Sequence, residues 1–280
     1  MNKDSLTYKV KQISGSTGLP FNTVLTYFFL ETVLRKLLYT TQAKHFIFKG
    51  GFLIANTLGL ARRSTVDIDI LVDGIGLDEA QVRDIARQLS EAVVQPEVRC
   101  TLQSIEPIRQ EDDYGGFRVK ILCQLENIQQ VIPLDFATGD PVTPSKVELE
   151  YRCVFTNESL PIPSYNYETI IAEKLETIMR RGLANSRSKD FYDLHVIWML
   201  RKSKLSHSTL TQAVINTFSH RQRTLSYRDF QMQVAELRTD DLMLRRWSAW
   251  QKHNTYAQDI RWEDALDSIQ NMLLWLEITS

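Results

Sequence analysis

Apolar residues at helical spacing mark the stretch between residues 20 and 38. Leu25, Phe28 and Phe29 fall on one face with polar residues between them, and Pro20 suits a first helical turn. The pattern predicts an amphipathic helix. Charged residues interrupt the run, so it is too polar to cross a bilayer cheaply.

A strand, a glycine turn and a second helix are predicted next. Residues 45–48 are apolar, Gly50 and Gly51 provide the turn, and residues 52–60 return to a helical pattern. Such a turn presents backbone N–H groups at the positive end of a helix dipole, and glycine lets an oxyanion approach them closely. Lys49 adds a positive charge, so the turn is a candidate phosphate site, although the GxxxxGK[ST] motif is absent.

Residues 66–72 read VDIDILV, in which charged and β-branched residues alternate. In a strand, residues two apart share a face, so Asp67 and Asp69 are predicted to project together. The opposite, buried face is predicted to carry Val66, Ile68 and Ile70. Adjacent like charges are stable only if water screens them or a cation lies between them, so the stretch is either an amphipathic edge strand or a Mg²⁺ site.

The remaining pattern predicts a mixed sheet-and-helix region followed by helices. Residues 77–93 are an amphipathic helix, and helical patterns run from residue 168 to the end. β-like runs are predicted at 97–105, 117–125, 129–136 and 147–155. The predicted organisation is an α+β chain with segments 1–44, 45–163 and 164–280, the last boundary falling near Pro163.

Composition changes this picture little. The 280 residues are 43% hydrophobic and 24% charged with a formal net charge of −1, so no global field draws the protein to nucleic acid or membrane. Between residues 174 and 252, however, basic residues outnumber acidic ones by roughly two to one. Cys100, Cys123 and Cys153 are widely spaced, which predicts reduced thiols. The polar N-terminus has no signal-peptide core, so the expected location is cytoplasmic.

The run VIPLDFATGD contains a third candidate carboxylate, Asp135. Asp135 lies inside apolar sequence, where a buried acid is costly unless it is paired or bound to metal. Asp140, in the following loop, is predicted to be a turn residue. Metal at Asp67 and Asp69 would meet phosphate at the glycine turn if their strands adjoin, which suits a nucleoside triphosphate.

The order of these motifs resembles the polymerase-β-type nucleotidyltransferases. FIFKGGFLIANTLGLARRSTVDIDILVDG, the preceding GLPFNTVLTYFFLETVLRKLL and the later YNYETIIAEKLETIMRRGLANSRSKDFYDLHVI are similar to the AbiEii/AbiGii toxin family. The resemblance extends from about residue 10 to the last helices. It implies a polymerase-β-like nucleotidyltransferase domain at 45–163, a helical segment at 1–44 before it and a helical domain at 164–280 after it.

The resemblance also implies a function. Its members transfer a nucleotide from a nucleoside triphosphate with release of pyrophosphate, several of them to the 3′ end of tRNA. They are toxins of bacterial toxin–antitoxin and phage-defence (abortive-infection) systems, each neutralised by a cognate antitoxin. The chain is thus expected to be a Mg²⁺-dependent nucleotidyltransferase, with two Mg²⁺ ions and an RNA acceptor.

Residue roles carry over motif by motif. Asp67, Asp69 and, through a weaker motif, Asp135 match the metal-binding carboxylates, whereas Lys174 and Asp190 match the lysine of AEK and the first aspartate of [KR]D-x-YDL. Candidate nucleotide-binding residues are Lys49, Gly50, Gly51, Arg63, Ser64 and Thr65. One departure is Phe52, because a small hydroxyl residue is usual in that turn, and the linker from Gly51 to Asp67 is slightly long.

Purely structural roles also stay open for several residues. Lys174 and Asp190 are either catalytic or an interhelical ion pair that only fixes packing. Asp193 is expected to cap its helix and Glu176 to lie on a helix surface. Two other functions also stay open: nucleotide transfer to a hydroxyl of a protein or small molecule, and a non-catalytic module that binds nucleotide or antitoxin.

Overall fold

The computed structural model describes residues 1–108 and 115–277, which contain ten α-helices and seven β-strands. The helices are α1 (Lys3–Thr17), α2 (Phe21–Leu37), α3 (Gly50–Leu58), α4 (Glu79–Glu91), α5 (Tyr167–Arg181), α6 (Ser188–Arg201), α7 (His207–His220), α8 (Tyr227–Thr239), α9 (Asp241–His253) and α10 (Trp262–Glu277). The strands are β1 (Phe46–Lys49), β2 (Ile68–Val72), β3 (Arg99–Ile108), β4 (Gly116–Leu125), β5 (Ile128–Ala137), β6 (Val147–Arg152) and β7 (Ser159–Ser164). The predicted α+β class is confirmed.

The chain divides into two compact units. The sheet unit contains Met1–Asp140 and Val147–Ser164, and the helical unit contains Pro141–Lys146 and the chain from Tyr165 onward. The sheet unit thus includes the N-terminal helices. The three-part division at residues 44 and 163 stays a prediction, and the last three residues of the segment 164–280 lie outside the described residues.

The seven strands form one mixed sheet in the order β3-β4-β5-β2-β1-β7-β6. Two pairs are parallel, β2 with β5 and β1 with β7, and the other four are antiparallel. The short strands β1 and β2 therefore lie in the middle of the sheet. Their residues face neighbours on both sides, which fixes their register tightly.

Helix α2 is buried on nearly all sides and contacts β5 and α4. Its two buried charges are both bonded. The carboxylate of Glu31 accepts the backbone N–H groups of Val154 at 2.6 Å and Phe155 at 3.1 Å, and Lys36 donates to the carbonyl of Ala92. Burial outweighs these bonds and raises the pKa of Glu31 to about 7. The predicted amphipathic helix is thus a core helix.

The helical unit has its own aromatic core. Phe191 on α6 contacts Trp262 on α10, with ring centroids 4.8 Å apart, and Trp262 contacts Trp247 on α9 at 5.5 Å. Tyr192 packs beside Trp250 at 5.5 Å. Large rings of this kind bury much apolar area and tie successive helices together.

The structure corrects one strand prediction and adds a strand. Val66 is 58% exposed because β2 begins only at Ile68, whereas Ile68 and Ile70 are buried as expected. Strand β7, at Ser159–Ser164, was not among the predicted β-like runs. Prolines lack the N–H that a ladder needs, which hides such a strand in the sequence. In the described part of the chain, no helix is long and apolar enough to cross a membrane.

Candidate active site

A row of charged residues crosses the sheet. Lys49 on β1 lies opposite Asp69 on β2, and Asp69 lies opposite Asp135 on β5. Asp135 in turn faces Arg118 on β4, and Arg118 faces Glu106 on β3. Residues directly opposite one another in a sheet share a face. The register therefore places two predicted metal-binding carboxylates side by side, with a cation on each flank.

Arg118 forms a bidentate ion pair with Asp135, the third predicted carboxylate. Its Nε and Nη2 atoms donate to Asp135 Oδ1 at 2.8 Å and Oδ2 at 2.6 Å, so both carboxylate oxygens are engaged. These bonds raise the pKa of Arg118 above its usual range against the opposing effect of burial, and the charges of Asp67 and Asp69 act in the same direction. All three carboxylates therefore lie within electrostatic reach of one guanidinium.

The glycine turn touches the second carboxylate. Gly50 has a φ of +71°, and a Cβ atom there would lie 1.9 Å from Asp69 Oδ2. Only glycine allows this approach and adopts this conformation without strain. Helix α3 begins at Gly50 without a side-chain cap from Lys49. The predicted phosphate turn and the predicted metal strand are therefore in direct contact.

Arg63 and Thr65 cover the second glycine. A Cβ atom at Gly51 would lie 2.9 Å from Arg63 Nη2 and 3.1 Å from Thr65 Oγ1. Both side chains are buried, and the guanidinium of Arg63 also donates to the Ser64 carbonyl. The Thr65 hydroxyl donates to Asp67 Oδ1 at 2.7 Å. Thr65 thus orients the first carboxylate, and a hydroxyl lies beside the turn even though the turn itself has none.

Phe52 has its role in the core. It is fully buried and stacks on Tyr151, with ring centroids 4.9 Å apart and planes 13° from parallel, while Tyr27 lies at 6.3 Å. The residue after the glycine pair therefore anchors α3 to the sheet unit. A serine at position 52 would leave a large cavity in this stack.

Lys49 and Asp140 form a buried pair at the end of the row. The Lys49 ammonium lies 2.6 Å from Asp140 Oδ2, and the two side chains are 6% and 4% exposed. The prediction that Asp140 is an ordinary turn residue is wrong, because a buried lysine requires an opposite charge. A cavity of about 460 Å³, lined in part by Leu71, Thr138 and Asp140, lies beside this pair.

Lys174 and Asp190 lie in the helical unit within a balanced cluster. Lys174 Nζ lies 2.8 Å from both Asp190 Oδ1 and Asp193 Oδ2, and Arg187 Nε lies 2.8 Å from Asp190 Oδ2. Burial alone would lower the pKa of Lys174, but the two carboxylates outweigh it and raise that pKa. Burial likewise opposes ionisation of Asp190, yet the two cations lower its pKa to about 2.

Two acidic residues in the helical unit, Asp193 and Glu176, have different surroundings from those predicted. Asp193 was expected to cap its helix, but its fully buried carboxylate binds Lys174. Glu176 was expected on a helix surface, but it is fully buried beside Arg180 at 3.2 Å, Arg221 at 3.7 Å and Arg223 at 3.6 Å. Helical periodicity could not reveal these contacts, because the partners of Glu176 come partly from the end of another helix.

The donor set in the sheet unit fits a divalent cation. Asp67, Asp69 and Asp135 offer hard carboxylate oxygens, the ligands that Mg²⁺ prefers. Their placement is incomplete as a metal site: in residues 1–108 and 115–277, no three His, Cys, Asp or Glu side chains form a group that could hold a metal ion. In this structure both oxygens of Asp135 are instead bonded to Arg118.

Arg118 was not predicted as a site residue, although its position opposite Asp135 can be derived from the sequence. Strands β4 and β5 are joined by the two-residue turn Glu126–Asn127, because Leu125 pairs with Ile128. Counting back along both strands from such a turn places Arg118 opposite Asp135. Asp140 had no such signal, because its partner Lys49 is 91 positions away.

Two solved structures share the fold. A Helicobacter pylori protein assigned as a nucleotidyltransferase superposes with a TM-score of 0.57 and 14% identity over 94% of this chain and 99% of its own. The structure of JHP933 from Helicobacter pylori gives a TM-score of 0.55 and 14% identity over 93% and 94% of the two chains. At these identities the likeness shows the fold alone. No curated protein matches the sequence.

The sequence comparison identifies the family. Residues 32–268 match the family described as "Nucleotidyl transferase AbiEii toxin, Type IV TA system", which covers most of the chain and confirms the resemblance noted above. Membership implies nucleotidyltransferase activity, a nucleoside triphosphate substrate and an antitoxin partner. With a seven-stranded mixed sheet of matching fold and a family match over most of its length, the chain belongs to the AbiEii family of nucleotidyltransferase toxins.

Proposed function

We propose that this toxin transfers a nucleotide from a nucleoside triphosphate to an RNA acceptor, the 3′ end of tRNA, and that it requires Mg²⁺. The observation that carries the proposal is the meeting of the glycine turn with the row of carboxylates in one place. A triphosphate at the Gly50–Gly51 turn would lie against Asp69, whose Oδ2 closely approaches that turn.

The reaction is assigned as a displacement at the α-phosphorus. The acceptor hydroxyl forms a new P–O bond, the bond to the bridging oxygen of pyrophosphate breaks, and the hydroxyl proton passes to a base. When bound, Mg²⁺ would supply charge neutralisation for the triphosphate and acidify the hydroxyl. Asp67, Asp69 and Asp135 would hold it, and Asp135 would also orient the acceptor hydroxyl and accept its proton. Two Mg²⁺ ions are proposed.

Other residues have supporting roles in the proposal. The backbone of Gly50 and Gly51 would bind phosphate, with Lys49, Arg63 and Ser64 nearby, and Thr65 would keep Asp67 oriented through its 2.7 Å hydrogen bond. For Lys174 and Asp190 the proposal rests on the family motif, which assigns them to nucleotide binding. Such toxins would act in the cytoplasm, in defence against phage.

An RNA acceptor is favoured by the charge of the helical segment. Basic residues exceed acidic ones roughly two to one between residues 174 and 252, although the whole chain has a net charge of −1. A regional excess of Arg and Lys is typical of surfaces that bind the phosphate backbone, and such binding weakens steeply with salt.

The test is a labelling assay on the full chain. Each α-labelled nucleoside triphosphate is incubated with protein, Mg²⁺ and total tRNA, beside the Asp67→Ala/Asp69→Ala variant and the matched surface control Glu91→Gln. Label in tRNA that disappears only in the double variant supports the proposal. Label in protein or in a small molecule would redirect it to those acceptors, and nucleotide binding without label transfer would refute it.

A growth experiment tests the toxin role separately. Expression of the wild type should arrest growth, and co-expression of the cognate antitoxin should relieve the arrest. The Asp67→Ala/Asp69→Ala variant should be harmless at equal protein level. Growth arrest by the double variant would show that toxicity does not depend on nucleotidyl transfer.

A further inference from the structure

The ion pair between Arg118 and Asp135 poses a problem for metal binding. A bidentate guanidinium occupies both oxygens of Asp135, and a divalent cation needs at least one of them if Asp135 is to be a ligand. Each carboxylate oxygen has more than one lone pair, but a guanidinium and a divalent cation on the same carboxylate repel each other, so each weakens the binding of the other. Arg118 and a metal ion therefore compete for Asp135.

The surroundings of the pair favour departure of Arg118. The Arg118 side chain is 44% exposed, whereas that of Asp135 is 15% exposed. Arg118 can therefore swing away without opening the core, while Asp135 stays fixed on the central β5 strand. An ion pair with one partly exposed partner is also weak enough to be displaced by a divalent cation.

We propose that Arg118 is a positioning residue that occupies Asp135 before substrate binds and competes with the divalent cation for that carboxylate. The inference rests on the proposed function, in which Asp135 is the third carboxylate of the site. Bound to Asp135, the guanidinium partly neutralises a group of three acids; displaced, it offers a planar, bidentate donor suited to a phosphate.

Coupling between cation and nucleotide follows from this competition. A cation alone must break the Arg118–Asp135 pair without replacing it, so it binds weakly. A metal–nucleotide complex brings phosphate oxygens that give the displaced guanidinium a new partner. Binding of the complex therefore costs less free energy than binding of the cation alone. Cation and nucleotide therefore strengthen each other's binding, and the coupling must be reciprocal.

The decisive measurement is Mn²⁺ binding to the full chain in the absence of nucleotide and RNA, by titration calorimetry or by the electron paramagnetic resonance signal of unbound Mn²⁺. Arg118→Gln should tighten Mn²⁺ binding about fivefold, the equivalent of one partly exposed ion pair. Arg118→Lys keeps the charge but loses the bidentate geometry, so it should tighten binding by a smaller factor.

A matched control removes the same charge nearby. Lys120 lies two residues along β4, on the same face, and pairs with Glu106 at 2.8 Å rather than with Asp135. Lys120→Gln should change the Mn²⁺ dissociation constant less than twofold. If Arg118→Gln and Lys120→Gln act equally, Arg118 acts only through general charge and the proposal is overturned.

A double-variant cycle isolates the carboxylate. In an Asp135→Asn background, Arg118→Gln should no longer tighten Mn²⁺ binding, because the pair under competition is gone. An undiminished effect in that background would refute the proposal, as would failure of both wild type and Arg118→Gln to bind millimolar Mn²⁺. Circular dichroism and thermal unfolding establish that each variant is folded.

The nucleotide provides a second readout. Addition of a non-hydrolysable nucleoside triphosphate should tighten Mn²⁺ binding in the wild type and do so less in Arg118→Gln. Neither measurement involves RNA or nucleotidyl transfer. The competition can therefore fail while the labelling assay succeeds, or hold while the acceptor proves not to be RNA.

Discussion

Arg118 and Lys174 are both cations that hold aspartates, but their surroundings differ. Lys174 is 11% exposed and binds two carboxylates that are 2% and 0% exposed, with Arg187 completing a group of two positive and two negative charges. Arg118 is 44% exposed and faces three carboxylates, only one of which it engages in hydrogen bonds.

The difference separates two uses of charge, one buried and one partly exposed. A desolvated, balanced cluster tolerates no change in either sign, since the loss of one partner leaves an uncompensated charge in a medium that solvates it poorly. A row of acids held by an exposed arginine can accept another cation in its place. We therefore expect substitutions in the sheet row to affect chemistry first and those in the helical cluster to affect stability first.

The largest effect is expected at Asp69. Asp69→Asn keeps the shape of the side chain but removes the charge beside the glycine turn, and nucleotidyl transfer should fall about a thousandfold. Thermal unfolding should change little, because the removed carboxylate lies beside another acid. The rate is measured by label transfer, with Glu91→Gln on the exposed end of α4 as the matched control. Retained activity in Asp69→Asn would remove this acid from the site.

The opposite result is expected for Lys174. Lys174→Met leaves Asp190 and Asp193 buried without their shared ammonium, so the free energy of unfolding should fall by about 3–5 kcal/mol. The triple variant Lys174→Met/Asp190→Asn/Asp193→Asn should recover most of that loss in urea denaturation, since it removes the buried charges together. If activity stays low in the recovered triple variant, the cluster also serves the reaction; recovered activity would show that it serves packing alone.

A smaller effect on activity is expected at Gly50. In Gly50→Ala the new methyl group meets Asp69 Oδ2, and displacement of a reacting group by about 1 Å can reduce a rate about a hundredfold. Gly15→Ala in α1 is the control, because a Cβ atom there has no heavy atom within 4 Å and its φ is not restricted to glycine. Equal rates for the two variants would refute the assigned contact.

The smallest effect is expected in the pH dependence of the free energy of unfolding. The cations beside Asp190 lower its pKa to about 2 in the folded state, below its unfolded value. Its contribution of about 2 kcal/mol is therefore complete at neutral pH and is lost as the pH falls from about 4 towards 2. Unfolding free energies measured across this range should fall less steeply in Asp190→Asn than in the wild type. Parallel slopes would show that the pair does not perturb Asp190.

Much of the fold was predictable because it depends on local patterns. The alternation in residues 66–72 and the helical spacing in residues 168–181 identified β2 and α5 to within a few residues. Strand β7 was missed, because two prolines in six residues mask the β pattern. Val66 was misplaced, because the alternation of apolar residues begins before the backbone joins the ladder.

The candidate site likewise has residues that the sequence predicts and residues that it does not. Gly50, Gly51, Asp67, Asp69 and Asp135 were named from the sequence. Sheet register brings Asp69 beside Asp135, and Gly50 lies against Asp69. Their partners were harder to find. Arg118 could be located by counting from a turn, but the Lys49–Asp140 and Lys174–Asp193 contacts depend on tertiary packing that no period in the sequence reports.

The six residues Pro141–Lys146 bear on whether the chain can be cut into working pieces. They belong to the helical unit although sheet strands precede and follow them. Thr143 accepts a bond from Asn166 at 2.6 Å, donates its N–H to Thr169 at 3.1 Å and accepts from Asn216 at 2.9 Å. A fragment that starts at residue 164 lacks this support for the first turn of α5, and one that ends at 163 carries a loop without its bonding partners. Limited proteolysis should consequently yield no pair of stable halves, and an isolated helical unit would have to carry residues 141–146 grafted onto it.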